Sequence, residues 1–232
     1  MLNPLAQELN NALAGTAAQD VLSDLGSRIF FPKGIIAQSA EAKKVGNTAN
    51  ATIGTALIGG KPIILEAVQK FAPELTAGQL VSYAPTAGNP ELRELWKQKL
   101  FVKNPGLKGK NFSLPVVVPG LTAGISYLSD LFVDENHPLL AANPSWDNYA
   151  LIVETRRGAE LHQFNMFKDG KFDIESFKAA LADEGKKYGS VRVILNFPQN
   201  PSGYSPTNEE AKKIIAAVKA EDGKRHESYR LG

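Results

Sequence analysis

Apolar residues recur at helical spacing through much of the first hundred residues, then give way to short apolar runs alternating with helical stretches. Leu5, Leu9 and Leu13 share one face and predict one or two amphipathic helices over residues 3–25. Residues 26–60, rich in Gly, Ala and Thr, fit a core-facing arm and a loop equally well. Pro62 can open a helix carrying Ile63, Ile64, Ala67, Val68 and Phe71. Residues 73–88 read as loop. Asn89 is a suitable N-cap, with Pro90 at the first helical position of a helix through Leu92, Leu95, Trp96 and Leu100. Trp96 falls on its apolar face and reads as core.

From about residue 112 the pattern alternates. Strands are expected at Ser113–Val118, Pro138–Ala142, Ala159–Phe164 and Val191–Asn196. Between and after them, helices are expected at Thr122–Phe132, at Trp146–Thr155, from an Asp173 cap to about Glu184, and from a Thr207 cap to about Ala220. Glu210 stands where a capping box with Thr207 needs it. Strands alternating with helices predict an α/β fold with a mainly parallel sheet and right-handed crossovers. Sites in such sheets lie beyond the carboxyl ends of the strands, so the residues just after each strand carry the functional information.

Three such loops stand out. The first is Pro119-Gly120-Leu121-Thr122-Ala123-Gly124. Its small residues open a helix, whose free N–H groups and dipole suit a phosphate. A compact turn in which Gly124 gives close helix–sheet packing is the other reading. The P-loop pattern is missing. The second is Asn143-Pro144-Ser145-Trp146-Asp147-Asn148-Tyr149. Trp146 can stack on a flat ligand or fill the core. The third is Leu195-Asn196-Phe197-Pro198-Gln199-Asn200-Pro201-Ser202-Gly203-Tyr204. Pro201 biases Asn200 toward extended backbone and so fixes the direction of an amide that can donate and accept. A stiff turn without chemistry fits the same shape.

Composition narrows these choices. The 232 residues carry a formal charge of +2, 43% apolar and 22% charged residues, in keeping with a globular protein. Lys and Arg are scattered, with no stripe to suggest nucleic acid. With no Cys, disulfides and thiolate metal sites are excluded. His137, His162 and His226 show no ligand spacing, and His162 reads as a strand residue with a satisfied partner. No run approaches the roughly 20 apolar residues of a membrane helix. The segment Met1–Leu13 has no basic n-region, so a cytoplasmic location is expected, without a membrane partner.

The Asn200-Pro201-Ser202-Gly203 segment resembles the Asn-Pro-x-Gly signature of fold-type I, pyridoxal-phosphate (PLP) dependent aminotransferases. Three further blocks resemble that family in the expected order: Tyr83 to Gly88 with Leu92-Arg93, Gly120 to Gly124, and Pro144-Ser145-Trp146 with Asn148. Together they cover roughly residues 30–215 and point to the aspartate-aminotransferase-like branch. The resemblance implies a three-layer sandwich of the PLP-transferase type, incomplete in this chain. Residues 1–60 would form an N-terminal arm and part of a small domain, and 61–232 the N-terminal portion of the PLP-binding domain. It also implies transfer of an amino group between an amino acid and a 2-oxo acid. Gly120, Leu121 and Thr122 would hold the PLP phosphate through backbone N–H groups. Trp146 would stack on the pyridine ring. Asn200 would bond its ring oxygen and contact the substrate carboxylate. Tyr83 would reach the partner's phosphate in a homodimer. Gly34, in Phe31-Pro32-Lys33-Gly34-Ile35-Ile36, would lie near the substrate carboxylate.

The family's Schiff-base Lys and the Asp that pairs with the pyridinium follow the Asn-Pro-x-Gly block, and no residue here takes either role. Asp222 falls at a helix end, and Lys224 follows it by two positions. A truncated chain, inactive by itself, is therefore expected. The alternatives are a non-catalytic homologue acting as a scaffold and a nicotinamide-dependent short-chain reductase. The second is suggested by Gly120, Gly124 and Ile125. It is opposed by the late position of that turn and by the absence of any Tyr followed four places on by Lys.

Overall fold

A computed structural model of the chain describes residues 2–30, 35–46, 52, 55–71 and 74–228. The chain divides into two compact units, residues 1–32 with 124–232, and residues 33–123.

The helices in chain order are α1 (Pro4–Ala12), α2 (Ala17–Asp20), α3 (Asp24–Arg28), α4 (Ile35–Val45), α5 (Glu66–Phe71), α6 (Ala77–Val81), α7 (Pro90–Lys103) and α8 (Leu121–Phe132). Then come the single turn α9 (Asn148–Ala150), α10 (Ile174–Tyr188) and α11 (Asn208–Ser228). The strands are β1 (Leu57–Ile58), β2 (Lys61–Pro62), β3 (Leu139–Asn143), β4 (Leu161–Asn165), β5 (Phe167–Lys168) and β6 (Lys171–Phe172).

In the first unit, β3 runs parallel to β4 in register from Leu139↔Leu161 to Asn143↔Asn165. On the other edge of β3, the Leu140 N–H donates to the Arg192 carbonyl at 2.8 Å, and the Ile194 N–H to the Leu140 carbonyl at 2.9 Å. That segment therefore joins in parallel through one bridge, Leu140↔Val193, rather than as the full strand expected over 191–196. Residues 139–142 are buried on both faces, as the centre of a covered parallel sheet requires. Leu140 and Ala142 pack with Phe164, Met166, Phe172, Phe177 and Leu181, and with Ile214 and Ala217 of α11. Ala141 faces the other way, onto Ile125 of α8, Tyr149 and Ile152. Sheet between two helical layers is the three-layer α/β arrangement read from the pattern.

The N-terminal helices pack on this unit's edge, and Asn10 there donates to the Ser27 carbonyl at 2.7 Å. Downstream of α9 the chain widens into a π-helical turn over Leu151–Arg156. The Arg157 N–H reaches the Ile152 carbonyl, five residues back, at 3.2 Å. The regular helix expected over 146–155 is thus replaced by α9 and this turn. Arg156 and Arg157 both reach Asp130, at 3.2 and 3.5 Å. The hairpin β5–β6 was not expected, although its Asp169-Gly170 corner is a strong turn signal. Asp169 and Gly170 have φ of 52° and 73°.

In the second unit, Asn89 caps α7 as expected, its Oδ1 accepting from the Leu92 N–H at 3.0 Å. Pro62 instead pairs in β2 with Leu57, and the helix starts later, at Glu66. The strand expected over 113–118 forms no ladder. Pro115 removes a donor from the middle of the segment, and Pro119 follows directly at its end. The segment is held instead by single contacts: the Arg93 Nε donates to the Pro115 carbonyl at 2.6 Å, and the Val117 N–H to the Ala87 carbonyl at 3.1 Å. Gly88, with φ of 94°, lies where a Cβ would run into the Val117 side chain.

Candidate functional site

Two loops leave the carboxyl edge of the first unit's sheet. The β3 loop begins with a cis Asn143–Pro144 bond. Ser145 is held from β4, its Oγ accepting from the Gln163 Nε2 at 3.0 Å. The turn closes where the Tyr149 N–H donates to the Trp146 carbonyl at 2.9 Å. Trp146 is half-buried, with its ring edge-to-face with Tyr149 at 5.6 Å. It rests on Ile125, Ala141 and Ile152. Both readings of this residue therefore have a share: part of the indole seals the core, and part stays open. Burial pushes the Tyr149 hydroxyl pKa up, so the ring beside Trp146 carries no charge at neutral pH.

The second loop follows the Val193 bridge and contains cis bonds at Phe197–Pro198 and Asn200–Pro201. The Gln199 N–H donates to the Tyr204 carbonyl at 2.8 Å, and the Gly203 N–H to the Gln199 carbonyl at 2.6 Å. The Asn200 side chain is exposed, and among the described residues it has no hydrogen-bond partner. Gln199 is 3% exposed. Its Nε2 donates to the Pro144 carbonyl at 2.7 Å and to the Asn200 carbonyl at 2.9 Å. Its Oε1 accepts from the Ser202 N–H at 2.9 Å and the Ser202 Oγ at 2.5 Å. The backbones of the Trp146 and Asn200 loops therefore meet on one buried amide. The sequence marked Asn200 and passed over Gln199, because nothing in a Gln between Pro and Asn reports that it will be buried.

Behind this loop, Tyr204 donates its hydroxyl to Glu210 Oε1 at 2.7 Å. The Phe172 N–H reaches Glu210 Oε1 and the Tyr204 hydroxyl, both at 3.2 Å. Glu210 Oε2 accepts from the Thr207 N–H at 2.8 Å and completes the expected capping box. The hydrogen bond from Tyr204, then those from Thr207, hold the Glu210 pKa down at about 2.

The remaining residues lie in the second unit and are described there. Gly120 has φ of 92°, its N–H donates to the Val118 carbonyl at 2.8 Å, and nothing stands where a Cβ would go. Leu121, at 77% exposed, and Thr122, also exposed, follow in the first turn of α8. The first N–H groups of any helix lack intrahelical partners, and this twelve-residue helix offers them at an open end. The Tyr83 side chain is wholly exposed. Gly34 lies outside the described residues. Among the described residues no His/Cys/Asp/Glu cluster could hold a metal ion, and no helix is long and apolar enough to cross a membrane.

A family model described as aminotransferase class I and II matches residues 52–223. The chain is 28% identical over 167 residues to a cytoplasmic aspartate aminotransferase isozyme of Arabidopsis thaliana, covering 69% of this chain and 40% of that protein. It is 24% identical over 209 residues to the mitochondrial aspartate aminotransferase of Saccharomyces cerevisiae, covering 81% and 46%. Among solved structures, an aminotransferase from Anaerococcus prevotii superposes with a TM-score of 0.74 at 26% identity, over 87% of this chain and 50% of that one. The chain thus spans less than half the length of these two curated relatives.

Proposed function

The chain belongs to the class I and II aminotransferase family, and from that premise we propose that its loops hold PLP for the transfer of an amino group between an amino acid and a 2-oxo acid. Members of this family use PLP, which when bound supplies the electron sink for carbanion chemistry at the substrate α-carbon. The residues present suit such a group. A half-buried indole and an unpartnered exposed carboxamide stand on two loops joined by one amide. That joint is the observation that carries the reading.

Trp146 stacks on the face of the pyridine ring and shields it from water. The Asn200 carboxamide donates to the ring oxygen, and its carbonyl oxygen stays available to orient a second donor. Gly120, Leu121 and Thr122 hold the phosphate: Leu121 and Thr122 through first-turn N–H groups, whose dipole favours the charge, and Gly120, its own N–H taken by Val118, by leaving open space at its Cα. Tyr83, with its side chain fully exposed, serves the partner's phosphate in a homodimer. Residues 1–60 act as arm and part of a small domain, and 61–232 as the N-terminal portion of the cofactor domain. No residue of this chain is assigned the Schiff-base role. The assignment carries with it a cytoplasmic setting and the aspartate-aminotransferase-like branch.

Titration with PLP tests this in a Trp96→Phe background, where Trp146 is the remaining indole. Quenching of Trp146 emission that saturates with PLP is expected. Asn200→Ala should raise the Kd about tenfold, as loss of a hydrogen bond to a charged or strongly polar group does. An emission unmoved by PLP at any concentration would sink the reading.

A further inference from the structure

Gln199 meets the backbone of both first-unit loops, and it does so where the backbone cannot. Pro144, Pro198 and Pro201 have no N–H, so the crossing of the two loops cannot close as a ladder. The Pro144 and Asn200 carbonyls must find a donor elsewhere. The Gln199 Nε2 donates to both, at 2.7 and 2.9 Å, while its Oε1 accepts twice from Ser202, at 2.9 and 2.5 Å. An amide has two hydrogens and two lone pairs, and all four are used. Turning the amide over would set oxygen against two carbonyls, so its orientation is fixed. Gln199 itself is 3% exposed, so its amide is largely shielded from water. Ser202 is itself steadied, its Oγ accepting from the Tyr204 N–H at 3.3 Å.

We propose that Gln199 is a positioning residue that sets the spacing between Trp146 and Asn200, and thereby the orientation of the pyridine ring held between them. It touches neither cofactor nor substrate. It acts by holding the backbone on either side: Pro144 is two residues before Trp146, and the Asn200 carbonyl belongs to the ring-contacting residue itself. This inference rests on the cofactor reading above and adds to it the device that makes the two contacts simultaneous. Among side chains of this length, Glu lacks the donors and Met lacks both donors and acceptors. Either substitution takes from the Pro144 and Asn200 carbonyls the donor that joins them.

The test uses the full chain with PLP alone as probe, again with Trp96→Phe, reading Trp146 quenching and the circular dichroism that the bound cofactor acquires from its surroundings. Gln199→Met and Gln199→Glu should raise the Kd about tenfold or more. At saturating PLP the induced band should fall, because the phosphate contacts persist while the ring loses its fixed pose. Ser202→Ala, which removes one of the two donors to Oε1, should move both readouts the same way, with Kd up about threefold. It decides the matter if the Gln199 variants fail to fold. Phe177→Leu, a core change away from these loops, should lower Tm and leave both readouts alone. Variants that lose Tm yet keep the wild-type Kd and band would show Gln199 to be purely structural and overturn the positioning role by itself. A wild-type chain that shows neither quenching nor band would remove the cofactor reading and this role with it.

Discussion

At the scale of single residues, the chemistry of a side chain is written in the sequence, whereas its burial depends on what folds around it. Trp146 and Asn200 carry groups that suit a flat heteroaromatic ligand, and both stand directly after sheet segments. Gln199 has the same functional group as any surface glutamine; its four hydrogen bonds follow from where two proline-rich loops cross. Tyr204 and Glu210 are similar: the capping box was readable from spacing, whereas the Tyr204 hydroxyl on the same carboxylate was not. Gly88 shows the reverse, a residue without a side chain whose need for that absence is structural. With φ of 94° and the Val117 side chain in the way, Gly88→Ala should cost about 1–3 kcal/mol. Urea unfolding of the two proteins side by side measures it, and equal midpoints would show that the 83–88 turn relaxes freely.

Elements with long amphipathic periods or clear caps, such as α7, α8 and α10, fall within a few residues of their predicted bounds. The misses among the strands come from pairing partners. Residues 113–118 have the apolar content of a strand, but Pro115 removes a donor from its middle. Residues 191–196 hold on to β3 through one bridge. Two carboxylate joints between elements give opposite pH dependences. Glu210 ties α11 to β6 and to the Asn200 loop, with its pKa lowered from 4.5 to about 2. Its contribution is present in full above pH 4.5 and is lost as pH falls toward 2. Glu210→Gln should flatten that part of a stability–pH curve. His162 on β4 bonds Glu184 of α10 at 2.5 Å and Glu160 at 2.8 Å. Partial burial lowers its pKa, but the two carboxylates outweigh this and the net shift is upward from 6.5. Its contribution is therefore full below pH 6.5 and disappears as pH rises through the raised value. Thermal melts of His162→Gln between pH 5 and 9 should lack the alkaline fall seen in the parent. A parallel fall in both proteins would place the titrating group elsewhere.

Across the whole molecule, apolar burial is uneven. The first unit holds a continuous core around Leu140, Met166 and Phe177. In the second, no apolar side chain among the described residues is buried, and Ile58, Leu65, Val68, Leu80 and Val81 are more than half exposed. Backbone hydrogen bonds without apolar cover open easily. Native-state hydrogen exchange should therefore find slow amides in β3, β4 and α10 and fast ones over residues 55–118. Comparable protection in both regions would contradict it. The π-helical turn at Leu151–Arg156 has a consequence of another kind. Such a turn is a helix that has taken in an extra residue, and here the wider winding lets the consecutive Arg156 and Arg157 share one Asp130. Deleting Thr155 should restore an unbroken α-helix and cost the chain one arginine of that pair. A one-residue change in length at that turn would be taken up in the winding of the helix, between β3 and β4.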